Sequence, residues 1–174
     1  MGTKFTYALI LTIVGAIFHL LLYFTGFQTE KLAVGQHLNW LGFIIMIVVL
    51  SLGIKATREE APDKSMSYGK GVLTGFLISL ISGLMSSVYT FIHFKFVNTE
   101  FADYQMAIIR AKWEEVGMGA TQMEQAEGFT RAMLSPVAQA IMTPIMAVLF
   151  GVIISLVASA FLKRSAPSAP PPVG

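Results

Sequence analysis

Two histidines are the residues whose type and placement most readily suggest chemistry. His19 lies inside the first apolar run of the sequence, and His93 lies near the end of the third. Imidazole nitrogens bind metal ions and haem iron, and Tyr23 follows His19 by one helical turn on the same face. Because the first and third runs are expected to cross a membrane in the same direction, both histidines would lie towards its outer side. The pair is therefore a candidate haem or metal site.

A structural interpretation of these histidines competes with the cofactor interpretation, and we favour it. A histidine four or five residues from the end of a membrane segment can reach the polar interface or bind a backbone carbonyl. Lys95, close behind His93, is typical of a side chain that extends to that interface. We therefore expect His19 and His93 to have structural roles, and we expect no resident cofactor and no bound metal.

No catalytic residue is predicted. The sequence has no cysteine, which excludes disulfides, thiol catalysis and cysteine-based metal sites. It also lacks the H-E-x-x-H, Walker and G-x-S-x-G motifs. The adjacent acids Glu59-Glu60 and Glu114-Glu115 lie in polar links, and no Asp or Glu lies inside an apolar run, which disfavours a carboxylate proton relay. The expectation is a protein that is not an enzyme.

The composition of the chain indicates an integral membrane protein. Hydrophobic residues make up 55% of the 174 residues and charged residues only 13%, against about 25% charged in an average soluble protein. About 20 apolar residues span a bilayer as a helix, because backbone polar groups in hydrocarbon must be paired within the segment. Four runs meet this requirement, at residues 5–24, 38–54, 71–94 and 137–162. The first is longer than a usual signal-peptide core and is expected to be a retained helix.

The predicted fold is all-α: residues 1–164 form one integral membrane four-helix bundle. A Pro-rich tail follows at 165–174, with a composition typical of disordered or polyproline II chain. Two short amphipathic helices are expected in the link between the third and fourth spans, one over 101–116 and a second capped by Thr121, with Glu124 completing a capping box. We expect this link to be a structural cap on the bundle, with a binding lid as the alternative.

Small residues recur every four positions in the third and fourth spans. Such stripes let membrane helices approach closely, and the two spans are consecutive and therefore antiparallel. We expect them to pack along the stripes, although one stripe could instead meet a partner chain. The stripe residues are Gly71, Gly75, Ser79, Gly83 and Ser87 in the third span, and Thr143, Ala147, Gly151, Ser155 and Ser159 in the fourth.

Basic residues predict the orientation of the spans. Lys and Arg collect in cytoplasmic links close to helix ends. One side of the predicted bundle carries Lys4, Lys55, Arg58, Lys64, Lys70, Lys163 and Arg164 against only three acids, and the other side carries more acids than bases. Both termini are therefore expected in the cytoplasm. The small net charge of +2, without a basic stripe, argues against nucleic-acid binding.

Five motifs follow one another along the sequence. They are Leu52-Gly53-Ile54-Lys55, Ser67-Tyr68-Gly69-Lys70, the aromatic run from Tyr89 to Phe101, Gly151-Val152-Ile153-Ile154-Ser155-Leu156 and Ala160-Phe161-Leu162-Lys163-Arg164. Their order and spacing resemble the DUF4199 family of small membrane proteins found mostly in Bacteroidetes and relatives, whose function is not known. Proline is common in that family where Thr99 stands here. The resemblance implies a four-helix topology and no catalytic residues, and we expect a location in the bacterial inner membrane.

Three functions remain open at this point. The expected one is a non-enzymatic structural or accessory subunit of a larger membrane complex, with the lipid bilayer and other membrane-protein subunits as its partners. The first alternative is a small transporter or channel component, which would need a polar path through the membrane. The second alternative is a redox subunit that binds haem or a metal through His19 and His93.

Overall fold

Helices account for all the regular elements in the part of the chain that the computed structural model describes, residues 2–165. The predicted tail, 165–174, lies outside the described residues except for Ser165. Four helices are long and two are shorter. They are α1 (Thr3–Phe24), α2 (Leu32–Glu59), α3 (Tyr68–Ile92), which continues into a π-helical turn (His93–Val97), α4 (Phe101–Glu115), α5 (Ala120–Met133) and α6 (Pro136–Leu162).

The four long helices, α1, α2, α3 and α6, are long and apolar enough to cross a membrane. All four extend beyond the predicted apolar runs, α1 and α6 by only one or two residues at their starts. The α2 helix begins at Leu32 rather than residue 38 and ends at Glu59 rather than residue 54, and α3 begins at Tyr68 rather than residue 71. Hydropathy marks only the part of a helix that matches hydrocarbon, whereas good helix formers continue the helix into polar surroundings. Ser67 caps α3, because its side chain accepts a hydrogen bond from the Lys70 N–H at 3.3 Å.

The α3 and α6 helices pack on one another along the two small-residue stripes. A Cβ atom added to Gly71 would lie 2.5 Å from the Ser159 hydroxyl, and one added to Gly83 would lie 3.0 Å from the Ala147 Cβ. The helices therefore approach closely only because these positions lack side chains. Each step of four residues up α3 matches a step of four residues down α6. The facing pairs are Gly71 with Ser159, Gly75 with Ser155, Ser79 with Gly151, and Gly83 with Ala147.

Hydroxyl groups along this seam are satisfied mainly by backbone carbonyls. Ser79 donates to the Gly75 carbonyl at 2.8 Å, one turn back in its own helix, whereas Ser87 donates across the seam to the Ala140 carbonyl at 2.7 Å. Such bonds remove the cost of placing a hydroxyl in an apolar region. Ser87 thus links α3 to α6 directly, whereas the Ser79 hydroxyl is satisfied within α3.

A buried apolar cluster joins α3 and α6 to the other two long helices. Ala8 of α1, Leu50 of α2, Ile78 of α3 and Ile154 of α6 form its centre. A Cβ added to Gly53 of α2 would lie 2.6 Å from the Ile78 Cδ1 atom, so α2 also approaches α3 through a glycine. This cluster lies in the half of the molecule where α1 and α3 begin and α2 and α6 end.

Polar contacts tie the helix ends together at that same end of the molecule. The Met66 and Arg164 backbones exchange two hydrogen bonds, at 2.9 and 3.0 Å, which join the start of α3 to the end of α6. The Arg58 guanidinium donates to the Leu162 carbonyl at 3.2 Å and so joins α2 to α6. We call this the basic end of the molecule, because Lys55, Arg58, Lys163 and Arg164 lie there.

The α4 and α5 helices form a hairpin at the opposite end. Gly117 adopts a positive φ of 75°, and the Met118 N–H reaches back to the Trp113 carbonyl at 2.9 Å, which ends α4 in the usual glycine motif. The predicted cap at Thr121 is wrong, because α5 begins at Ala120 and Gly119 occupies the N-cap position. Gln122, not Glu124, accepts the Gly119 N–H at 3.3 Å, since the extended backbone of Gly119 starts the helix two residues earlier.

Candidate functional site

A buried imidazole stands at the end of α3 that faces the hairpin. His93 is 1% exposed, and its Nε2 atom lies 2.9 Å from Oε1 of Gln28, in the loop between α1 and α2. Its Nδ1 atom lies 3.3 Å from the Tyr89 hydroxyl, one turn earlier. Both ring nitrogens therefore have partners, as a buried polar ring requires.

The π-helical turn explains how His93 reaches this position. The Asn98 N–H donates to the His93 carbonyl at 2.8 Å, a bond that widens the last turn of the helix. The Asn98 side chain, itself buried, then donates to the Gln28 carbonyl at 3.1 Å. Gln28 is thus held from two sides, by Asn98 at its backbone and by His93 at its side chain, which fixes the α1–α2 loop against α3.

The His93 side chain does not extend outward from the helices as the structural interpretation expected, because it is buried within the protein. It is enclosed by α1 and the α1–α2 loop, and its side-chain partner in that loop is an amide and not a backbone carbonyl. The structure does bring His19 near it, with the two ring centroids 6.1 Å apart and the rings edge to face. Tyr23 packs edge to face on His93 as well, at 5.8 Å between centroids.

A polar cavity of about 280 Å³ adjoins this histidine cluster. It lies between α1, α2, α3 and α6 and is covered by α4, which contributes Phe101 and Gln105 to its wall. Phe101 stacks on Phe94 with centroids 4.4 Å apart, and Gln105 accepts a hydrogen bond from Gln36 of α2 at 3.2 Å, so α4 is fastened over the opening. The polar lining residues are His19, Gln28, Asn39, Thr90, Gln105, Gln139 and Thr143.

Neutral groups dominate the cavity wall. Side-chain amides and hydroxyls can each donate or accept hydrogen bonds, and none of the described lining residues is an Asp, Glu, Lys or Arg. Two of the groups are already linked, because Thr143 donates to the Thr90 hydroxyl at 3.3 Å. The buried apolar cluster around Leu50 and Ile78 lies between the cavity and the basic end. This geometry suits binding of a small neutral molecule.

The same geometry disfavours His93 as a cofactor ligand. A metal or haem iron needs a free ring nitrogen, and both nitrogens of His93 already face Gln28 and Tyr89. Within residues 2–165, no three His, Asp or Glu side chains converge as metal ligands would. The cavity is also slightly smaller than pockets that hold drug-sized molecules, which are about 300–1,000 Å³.

Sequence reasoning missed most of this site. It identified His19 and His93, but not Gln28 and Asn98, which lie in polar links where amides are common, nor Gln139, which lies near the start of the fourth predicted span. The stripe residue Thr143 was assigned to helix packing, and it has a second role at the cavity wall. In the sequence, the available signal for this site was that polar residues occur near the ends of several helices. That signal does not show which of these residues come together in the folded protein.

Ion pairs hold the hairpin that covers the cavity. Arg131 of α5 donates to Asp103 of α4 at 2.7 Å and to Glu127 at 2.9 Å, and Arg110 of α4 also pairs with Glu127. Two hydrogen bonds lower the pKa of the Glu127 carboxyl below its usual value: the one from Arg110 has the larger effect, and the one from Arg131 the smaller. These pairs therefore connect α4 and α5 most strongly when the acids are ionised.

Comparison with protein families agrees with the motif resemblance. The model of the family described as protein of unknown function (DUF4199) matches residues 6–164. The chain belongs to the DUF4199 family. No curated protein and no solved structure matches it. The family match includes the whole α3–α6 seam, the histidine cluster and the polar cavity, so each of these features lies inside the DUF4199 region of the chain.

Proposed function

We propose that this DUF4199 protein is a non-enzymatic, multi-pass protein of the bacterial inner membrane and an accessory subunit of a larger membrane complex. In this proposal α1, α2, α3 and α6 cross the bilayer as a bundle, and both termini lie in the cytoplasm. The grouping of Lys55, Arg58, Lys163 and Arg164 at the basic end supports that orientation. The hairpin then lies on the outer side.

The uncovered helix α5 is the observation that carries the subunit role. None of its described residues is buried, and Phe129 is 73% exposed. The α4 helix covers the cavity: its Met106 is buried, and its Phe101 lines the cavity wall. The α5 helix is therefore not needed as a cap. An aromatic side chain exposed on a polar hairpin is typical of a contact point for another protein.

Photo-crosslinking in native membranes tests this role. A benzophenone amino acid in place of Phe129 should give one protein adduct of defined mass, whereas the same group in place of Glu124, on the opposite face of α5, should not. The adducted protein should also comigrate with the chain in blue native electrophoresis after mild extraction. Adducts to lipid alone at residue 129, together with migration as a monomer, would contradict the subunit role.

A second candidate function, a solute-binding component of a transporter, is favoured by the polar cavity. Four side-chain amides converge there, on Gln28, Asn39, Gln105 and Gln139, without a charged group among the described lining residues. The matching ligand is a small neutral molecule that both donates and accepts hydrogen bonds. Because the apolar cluster around Leu50 closes the other half of the molecule, binding is better supported than free passage.

Flux measurements in proteoliposomes separate the two candidates. Glycerol and urea are suitable probes, since both are small, neutral and rich in hydrogen-bonding groups. A transport component should raise their flux above that of empty liposomes, and Thr143→Val, which removes a cavity hydroxyl, should reduce the increase. Wild-type flux equal to that of empty liposomes would leave the accessory role as the function to pursue.

A further inference from the structure

An apolar groove runs between α2 and α6 in the half of the molecule nearest the basic end. It has a volume of about 480 Å³, and its walls are almost wholly hydrocarbon. Phe43, Ile47 and Ser51 form the α2 wall, one turn apart, and residues 153–162 of α6 form the other. The groove is on the outer face of the bundle, because Val157 and Phe161 on its α6 wall are largely exposed.

The groove is as long as one leaflet of a bilayer is deep. Phe43 and Ser51 are eight residues apart, which is about 12 Å along a helix, and half of the hydrocarbon core is about 15 Å. At its inner limit the Phe43 ring packs edge to face on Phe150, with centroids 5.5 Å apart, and so closes the gap between α2 and α6. A partner helix crossing the membrane would need an apolar groove of about twice this length.

Positive charge stands at the open limit of the groove. Lys55 lies one turn beyond Ser51 on the same face of α2, and Lys163 directly follows the groove residue Leu162. Both lysines are exposed, and neither forms an ion pair with any residue in the described range 2–165. Arg58 is also nearby, but its guanidinium is already engaged by Glu59 at 2.5 Å and by the Leu162 carbonyl.

We infer that the groove binds one acyl chain of an anionic phospholipid from the cytoplasmic leaflet, with its phosphate at Lys55 and Lys163. The groove length matches a single leaflet, and the two lysines sit where the headgroup would lie. Basic pockets between helices on the cytoplasmic side are the expected sites for anionic headgroups. This inference rests on the membrane orientation of the proposed function, but it does not depend on the subunit role.

Native mass spectrometry of the purified protein tests the lipid site. Dioleoyl phosphatidylglycerol should remain bound under conditions that remove dioleoyl phosphatidylcholine, which has the same chains without net charge. Lys55→Gln should weaken phosphatidylglycerol binding about fivefold, the effect of one lysine near an anionic headgroup. Lys4→Gln, a basic residue at the start of α1, is the matched control and should leave binding unchanged.

A second variant tests the acyl chain. Ser51→Phe fills the groove and should abolish retention of phosphatidylglycerol, while circular dichroism and thermal unfolding establish that the helices are intact. Equal retention of the two lipids by the wild-type protein, or unchanged binding by Ser51→Phe, would overturn the inference.

A second copy of the chain is the other possible occupant of the groove. The sequence has no cysteine, so Val157→Cys places one thiol on the groove wall. A disulfide-linked dimer formed in native membranes would assign the groove to a second copy and overturn the lipid site, whereas failure to form one agrees with lipid. The crosslinking test at Phe129 probes the other end of the molecule, so the subunit role and the lipid site can fail separately.

Discussion

The Ser155 hydroxyl of α6 occupies the space that a side chain on Gly75 of α3 would fill. A Cβ atom added to Gly75 would also lie 2.6 Å from the Ser155 Cβ, closer than two such atoms can approach. The pair is central in the α3–α6 seam, between Gly71 with Ser159 on one side and Ser79 with Gly151 on the other. Close packing of this kind is what holds membrane helices together where no hydrophobic effect acts between them.

Gly75→Ala should therefore destabilise the protein by about 1–3 kcal/mol, the usual cost of overpacking a well-filled interior. Thermal unfolding in detergent, followed by circular dichroism, measures the effect. Gly15→Ala is the matched control, because nothing lies within 4 Å of a Cβ at that position of α1. It should be neutral or stabilising by up to about 1 kcal/mol, since glycine is a weak helix former.

A compensating change gives the sharper test of the seam. The double variant Gly75→Ala with Ser155→Gly should recover much of the lost stability, because the second change removes the atoms that meet the new methyl group. If Gly75→Ala and Gly15→Ala behave alike, or if the double variant is no better than Gly75→Ala, the register of the seam described here is wrong.

Gln28→Leu should destabilise the protein by leaving the Nε2 atom of His93 buried without a partner. The expected cost is about 1–3 kcal/mol, the penalty for an unsatisfied buried polar group. Thermal unfolding in detergent measures it. Gln125→Leu is the control, because Gln125 is exposed on α5. Equal stability of Gln28→Leu and the wild-type protein would show that the amide–imidazole bond does not fix the α1–α2 loop.

The hairpin should loosen in acid. Hydrogen bonds from Arg110 and then Arg131 hold the pKa of Glu127 below its ordinary value of 4.5. A lowered pKa in the folded state means that the pairs stabilise the hairpin above pH 4.5, and that this contribution is lost as the pH falls below 4.5 and through the folded-state value. Spin labels at Ala107→Cys and Gln125→Cys should report a wider distance distribution in that range.

A charge variant assigns this change to Glu127. Glu127→Gln should show the wide distribution already at pH 7, whereas Glu124→Gln, exposed on the same helix, should keep the narrow distribution at pH 7 and the acid transition. A distribution that stays narrow in Glu127→Gln at pH 7 would mean that the apolar contacts of α4 and α5 hold the hairpin without the ion pairs.

Cysteine labelling tests the proposed orientation. The sequence has no cysteine, and Gly69 and Gly128 are exposed, with nothing within 4 Å of an added Cβ. A membrane-impermeant maleimide applied to spheroplasts should label Gly128→Cys, and it should label Gly69→Cys only after lysis. The reverse pattern would place the termini outside the cytoplasm and would move the lipid site to the outer leaflet.

The sequence determined the helical class and the regions of the long helices. Apolar runs of membrane length must pair their backbone polar groups internally, so four spanning-length helices follow from composition alone. The order of the motifs likewise predicted membership of the DUF4199 family, and the family match confirms it. The limits of α2 and the start of α5 could not be predicted from hydropathy, because local capping and helix propensity determine where a helix begins and ends.

Only the tertiary structure decided the site. The spacing of small residues predicted both stripes. The register that places Gly75 opposite Ser155, however, depends on the shapes of two facing helix surfaces. The polar cavity draws on residues as far apart in sequence as His19 and Thr143. Likewise, the buried position of His93 depends on Gln28 in a distant loop. A sequence pattern records the type and spacing of residues along one helix, whereas packing between helices determines which polar groups share a space and which become buried.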